Sequence, residues 1–90
     1  MAVIGALATA NDTFALGDAK SEAHLLRINV STAAASAVVT VYHGTSTSGA
    51  VMDTIDASSK GTSHYDHARF PNGLFVKLTG GNAKCSVIAE

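Results

Sequence analysis

Residues 73–89 read GLFVKLTGGNAKCSVIA, and the alternation of apolar and polar side chains in this stretch decides the fold class. Alternate residues from Leu74 to Leu78 fall on one face, and after the glycines Cys85 and Val87 fall on one face. A period of two is typical of a β-strand with one buried face. Because the intervening GGN is turn chemistry, the stretch predicts two strands joined as a β-hairpin.

The same alternation, interrupted by turn residues about every ten positions, extends over most of the chain. It predicts a strand that turns Leu26, Ile28 and Val30 toward the core, and another that opposes Val39 and Val41 to Thr40 and Tyr42. The small residues 32–37 (TAAASA) favour a loop, with one helical turn as the alternative.

The predicted fold class is therefore all-β. We expect a single antiparallel β-sandwich, jelly-roll or Greek-key-like, with seven or eight short strands. Residues 1–12 are expected to form an N-terminal arm, and residues 13–90 the sandwich domain.

Composition points to assembly with partners. The 90 residues suffice for one small core, and 47% of them are hydrophobic. Only 14% are charged, against about 25% in an average soluble domain. So few charges leave neutral or apolar surface for partners to cover, which predicts a homo-oligomer or a larger assembly.

Charge and cysteine usage exclude several function classes. The six basic residues are scattered singly, so no stripe exists to follow a nucleic-acid backbone. No stretch is long and apolar enough to predict a membrane span, and no basic segment precedes the apolar N-terminus as in a signal peptide. The single Cys85 cannot form an internal disulfide and fits synthesis in a reducing cytoplasm.

Four large apolar side chains fall opposite the predicted core sets and form the candidate interface: Leu25, Tyr42, Phe75 and Ile88. The alternative is that they are scattered exposed hydrophobic residues, which are common on protein surfaces. A register error of one residue would exchange the two faces of a strand.

The loop at residues 44–49, GTSTSG, has the glycines and hydroxyls of a catalytic or phosphate-binding loop. Its spacing differs from the G-x-S-x-G of a nucleophile elbow, and a strand follows Ser46 where the elbow needs a helix. A phosphate-binding loop would also need a lysine before a helix, and no such lysine is present. We therefore predict a turn without catalytic function.

Residues 64–67, HYDH, contain two possible metal ligands on one strand face, His64 and Asp66. His67 points to the other face unless a bulge intervenes, so we predict no metal site. A pair completed by His24 or His43 from another strand is the alternative. No acid-base pair has a recognisable spacing, so no catalytic residue and no cofactor is predicted and the chain is not expected to be an enzyme.

The order of segments resembles small virion structural proteins of tailed bacteriophages. Residues 39–52 (VTVYHGTSTSGAVM) and 73–88 (GLFVKLTGGNAKCSVI) carry the resemblance, which covers the chain from Leu25 to its end. The sequence departs from that pattern at His43, where an acidic residue is common, and in its HYDH segment.

The resemblance implies a capsid decoration or cement protein that binds the major capsid protein or other virion proteins on the capsid surface. A tail, neck or carbohydrate-binding host-attachment module is the alternative. The absence of Trp argues against the carbohydrate reading, because sugars usually stack on exposed aromatic rings.

Overall fold

The computed structural model describes residues 2–90, which form eight β-strands. These residues contain no helix that could cross a membrane. The strands are β1 (Val3–Leu7), β2 (Thr13–Leu16), β3 (Ala23–Thr32), β4 (Val38–His43), β5 (Ala50–Asp56), β6 (Gly61–Phe70), β7 (Leu74–Thr79) and β8 (Lys84–Ala89).

The strands form two antiparallel sheets of four strands each. Sheet A has the order β1-β8-β3-β6, and sheet B has the order β2-β7-β4-β5. Every connection crosses from one sheet to the other except that between β4 and β5, which pair as a hairpin. This is a jelly-roll order, in which Greek keys wrap a double sheet. The predicted all-β antiparallel sandwich is confirmed.

The core lies between the two sheets and is built from alternate strand residues. Its largest fully buried side chains are Leu7, Leu25, Ile28, Leu74, Leu78, Val39, Val41, Val76 and Val87. The inward faces predicted for β4, β7 and β8 are confirmed, and the loop predicted at residues 32–37 is confirmed for residues 33–37, since Thr32 ends β3.

The hairpin predicted for residues 73–89 is wrong in its pairing. β7 pairs with β2 and β4 in sheet B, whereas β8 pairs with β1 and β3 in sheet A. Both strands turn one face into the same core, so the alternation is identical for a hairpin and for a crossing between sheets. Gly80 makes the crossing tight: its φ is +84°, and a Cβ there would lie 2.1 Å from the carbonyl oxygen of Ser36.

The predicted N-terminal arm at residues 1–12 and the domain boundary after it are corrected as well. Val3–Leu7 form β1, the edge strand of sheet A, which pairs with β8 from Val3 opposite Ala89 to Leu7 opposite Cys85. Met1 lies outside the described residues. The apolar side chain of Leu7 is buried in the core, which ties this segment to the sandwich.

Three connections meet at the end of the sandwich that carries the GTSTSG loop. The N–H of Gly44 donates a hydrogen bond to the carbonyl oxygen of Gly73 at 2.9 Å. A Cβ on Gly73 would lie 2.9 Å from the carbonyl oxygen of Gly44 and 3.0 Å from that of Gly17. Any residue larger than glycine at position 73 would therefore push these loops apart.

Candidate interaction surface

One row of side chains crosses the outer face of sheet B and is apolar on all four strands. The strand register places Ala15 opposite Phe75, Phe75 opposite Tyr42, and Tyr42 opposite Val51. We call these four residues the aromatic row. The rings of Tyr42 and Phe75 lie 6.0 Å apart at 59°, and 55% of Val51 is exposed. Tyr42 and Phe75 thus lie on the outer face, as the alternation predicted.

The neighbouring row on this face is polar but carries little charge. Thr13, Lys77, Thr40 and Thr54 lie opposite one another across the four strands. Lys77 is the only ionisable side chain of that row and the aromatic row together, apart from the phenol of Tyr42. Covering this surface with a partner would therefore desolvate few ions, and burial of ions is the main electrostatic cost of an interface.

The outer face of sheet A has a different character. Arg27 lies opposite Ile88 on one side and His64 on the other, and the hydroxyl of Thr62 donates a hydrogen bond to Asn29 Oδ1 at 2.7 Å. Ile88 is on this outer face, as predicted, and lies beside Ile4 of β1. Tyr42 and Phe75 therefore lie on one outer face of the sandwich and Ile88 on the other.

Leu25, the fourth predicted interface residue, belongs to the core. It is fully buried, whereas Leu26, which was predicted to face inward, is half-buried. A bulge in β3 between Leu25 and Arg27 inserts one residue and shifts the alternation. Leu25 is therefore removed from the candidate interface.

The GTSTSG loop connects the two strands of the β4–β5 hairpin. The hydroxyls of Ser46 and Ser48 are 2.6 Å apart, and Ser46 Oγ also accepts a hydrogen bond from the Ser48 N–H at 3.2 Å. The Gly49 N–H donates to the carbonyl oxygen of Ser46 at 3.1 Å. These bonds hold the turn closed and engage the hydroxyls locally, as expected for a hairpin loop.

The HYDH segment forms an irregular bulge in β6. Asp66 and His67 have φ values of 41° and 58°, and the pairing with β3 skips from His64 to Ala68. His67 Nδ1 lies 3.3 Å from Glu90 Oε1. Within residues 2–90, no group of three or more His, Cys, Asp or Glu side chains could hold a metal ion.

Tyr65, inside the same bulge, turns toward sheet B. Its hydroxyl donates a hydrogen bond to Asp53 Oδ2 on β5 at 2.6 Å and so links the open edges of the two sheets. Burial and the neighbouring Asp53 carboxylate raise the pKa of Tyr65 above its ordinary value. We call this contact the Tyr65–Asp53 link.

A cleft of about 290 Å³ opens between β5 and β6 beside the Tyr65–Asp53 link. Its walls include the apolar side chains of Val41, Met52 and Phe70. Its polar groups are already engaged: the Asn72 N–H donates to His43 Nε2 at 3.2 Å, and Arg69 pairs with Glu22. The cleft is at the small limit for a ligand pocket and offers no convergent set of free polar groups.

Cys85 lies in the core, with 3% of its surface exposed. Burial raises the pKa of its thiol, which disfavours the nucleophilic thiolate. Cys85 thus shares the inward face of β8 with Val87, as the alternation predicted.

The sequence missed part of the exposed apolar surface. The exposed large hydrophobic side chains are Val3, Ile4, Val51 and Met52, and all belong to the edge strands β1 and β5. The alternation does not tell an edge strand from a central one, because that depends on pairing over long sequence distances. The uncharged VIGAL segment, which begins with two β-branched residues, could nevertheless have predicted a strand at the N-terminus.

Comparison with known proteins finds a similar fold in a solved structure. No protein-family model and no curated protein matches the chain. Among solved structures, a chain of the Bacillus endospore appendages, which form disulfide-linked pili, is similar with a TM-score of 0.50 and 12% sequence identity. The match covers 99% of this chain and 83% of the appendage chain. At this identity the likeness shows a shared fold.

Proposed function

We propose that this protein is a structural virion protein, specifically a capsid decoration or cement protein that binds the head of a tailed bacteriophage by surface complementarity. The observation that carries the proposal is the aromatic row, an apolar row on the outer face of sheet B beside a row whose only ionisable side chain is Lys77. The resemblance of residues 39–52 and 73–88 to phage virion proteins supplies the partner class.

The aromatic row suits contact with another protein surface. Apolar burial contributes about 25 cal/mol for each Å² removed from water, and aromatic side chains are enriched at the centres of interfaces. A single face of this size gives modest affinity. Many copies bound to a symmetric shell would stabilise it together, since each copy bridging neighbouring shell subunits adds its own contribution.

The aromatic row is less suited to carbohydrate. The rings of Tyr42 and Phe75 are inclined at 59°, so they do not form one flat platform on which a sugar could stack. A host-attachment role would therefore need a different surface. This geometry favours a protein partner over a sugar, and the sequence resemblance suggests the major capsid protein or another virion protein as that partner.

A fibre subunit is the second candidate, suggested by the fold shared with the endospore appendage chain. Those pili are disulfide-linked. The single cysteine of this protein is buried, so a disulfide between subunits would require the core to open. Assembly by non-covalent contacts is therefore the form of association that this chain supports.

The decisive experiment uses phage heads prepared without this protein. We expect them to assemble but to disrupt at lower temperature than complete heads, and added protein to restore the difference. Tyr42→Asp should weaken co-sedimentation with heads at least about tenfold, since it places a charge in the aromatic row. Arg27→Asp, on the outer face of sheet A, is the matched control and should bind normally.

The proposal fails if heads without the protein are as robust as complete heads. It also fails if both variants bind as well as the wild-type protein. Cryo-electron microscopy of the complete virion would then distinguish a tail or neck location, and a glycan array would test the host-attachment alternative.

A further inference from the structure

The four sheet edges of this sandwich are β1, β2, β5 and β6, and three of them carry features that prevent pairing with another strand. β2 is only four residues long. β5 has an irregular register and carries Asp53 and Asp56. β6 contains the bulge with positive φ at Asp66 and His67. Short length, bulges and charges are the devices by which proteins protect exposed edges.

β1 has neither a charge nor a bulge, and it is one residue longer than β2. Its sequence VIGAL contains no charge and no proline, and its pairing with β8 is regular over all five residues. Ile4 is 71% exposed and Val3 is 41% exposed. An uncharged, regular and apolar edge is a template for pairing with another strand.

The edge is also held in place before any partner arrives. Gly5 is buried against Phe14 of β2, and a Cβ on Gly5 would lie 2.1 Å from the Phe14 ring. Leu7, two residues on, is buried in the core. β1 is therefore held in place by its pairing with β8 and by its packing against β2 and the core. Its outer edge does not have to refold in order to pair with a partner strand.

We propose that β1 is a self-association edge, at which two copies of this chain pair β1 with β1 antiparallel about a two-fold axis. Sheet A of one copy then continues into sheet A of the other. The proposal concerns the isolated protein and does not depend on binding to a phage head.

The occupant is a second copy because the edge is complementary to itself. Antiparallel pairing centred on Gly5 places Ile4 opposite Ala6 of the second copy, so a large side chain meets a small one on the outer face. Ile4 already lies beside Ile88, and pairing extends this apolar strip across the axis. On the inner face, Val3 lies opposite Leu7 of the second copy, whose side chain stays in its own core. A two-fold axis makes the contact between Ile4 and Ala6 twice.

The test is the mass of the purified protein by sedimentation equilibrium over a range of concentrations. We expect the mass to rise from the 9.1 kDa of the monomer toward twice that value. Ile4→Lys should weaken association at least about tenfold, because lysine on an edge strand opposes pairing. Met52→Lys, at an exposed site on β5 outside the aromatic row, is the matched control and should associate like the wild-type protein. Circular dichroism would verify that each variant is folded.

A second measurement tests the register without depending on Ile4→Lys. The double variant Ile4→Cys with Ala6→Cys should form a disulfide-linked dimer on mild oxidation, since directly opposed residues have Cβ separations that a disulfide can span. Ile4→Cys alone should not. A protein that stays monomeric at every concentration, or equal cross-linking of the single and double variants, would overturn the proposal. Normal dimerisation of Tyr42→Asp, the variant with weakened head binding, would show that this edge acts separately from the aromatic row.

Discussion

Leu25 and Leu26 are identical in chemistry and adjacent in sequence, yet the bulge in β3 gives them opposite surroundings. Leu25 is fully buried between the sheets, and Leu26 lies on the outer face of sheet A, half-buried. The difference has a direct energetic consequence, because truncating a core leucine leaves a cavity that the surrounding side chains fill only in part.

We predict that Leu25→Ala lowers the free energy of unfolding by about 2 to 5 kcal/mol. Leu26→Ala should lower it by about 1 kcal/mol or less, since no enclosed cavity is formed. Urea unfolding of both variants at equal protein concentration measures the difference. Equal losses would mean that the bulge does not exist in solution.

At the scale of single elements, the alternation of apolar and polar residues predicts which face of a regular strand turns toward the core. The inward faces of β4, β7 and β8 were predicted because Val41, Val76 and Val87 each sit in an uninterrupted period of two. The bulge at Leu25 was not predicted, because an inserted residue leaves both neighbouring residues plausible for the core.

The sequence did not predict which strands pair with one another, and the reason is physical. Pairing in a jelly roll joins residues far apart in the chain, such as Leu7 with Cys85, and nothing local to either strand encodes the partner. The nearby glycines at residues 80 and 81 therefore suggested a hairpin where the chain crosses between sheets. The candidate surface was found in part, since Tyr42 and Phe75 belong to regular strands.

Removing the N-terminal residues tests whether they form the strand β1 or an extended arm. Deleting residues 1–7 removes the buried Leu7, whose burial contributes about 1.5 to 3 kcal/mol, and uncovers β8 along its length. We predict a loss of more than about 2 kcal/mol in urea unfolding. Cys85, opposite Leu7, should become accessible to a thiol reagent that does not label the intact protein.

The control for this deletion is Ile4→Ser, which alters an exposed side chain and leaves β1 in place. At a protein concentration at which the wild-type protein is monomeric, it should keep Cys85 protected and change stability by about 0.5 kcal/mol or less. If the deletion leaves both stability and labelling unchanged, residues 1–7 form an arm as the sequence suggested.

At the scale of the whole molecule, the two sides of the sandwich are closed differently. On the β1–β2 side, Phe14 packs against Gly5. On the β5–β6 side the sheets separate to form the cleft, and the Tyr65–Asp53 link spans the gap. A hydrogen bond that joins two sheets at an open edge contributes to the stability of the whole fold, because both sheets must be in place for it to form.

This contribution depends on pH in a defined direction. The pKa of Tyr65 is raised in the folded protein, chiefly by burial and then by the Asp53 carboxylate, which accepts a hydrogen bond from the phenol. A raised pKa means that the unfolded chain loses the phenol proton first, at a pH of about 10. The stabilisation is therefore complete below about pH 10 and declines as the pH rises from there toward the folded-state pKa.

We predict that Tyr65→Phe is less stable than the wild-type protein by about 1 kcal/mol at neutral pH, the usual value of one hydrogen bond. The difference should shrink as the pH rises above about 10, because only the wild-type unfolded chain has a phenol at position 65 to ionise, whereas the ionisation of Tyr42 is common to both proteins. Chemical unfolding of both proteins from pH 7 to 11 measures this difference.

Asp53→Asn, which keeps an acceptor but removes the charge, should retain part of the neutral-pH stability. A difference between wild type and Tyr65→Phe that stays constant across this range would show that Tyr65 does not donate to Asp53 in solution.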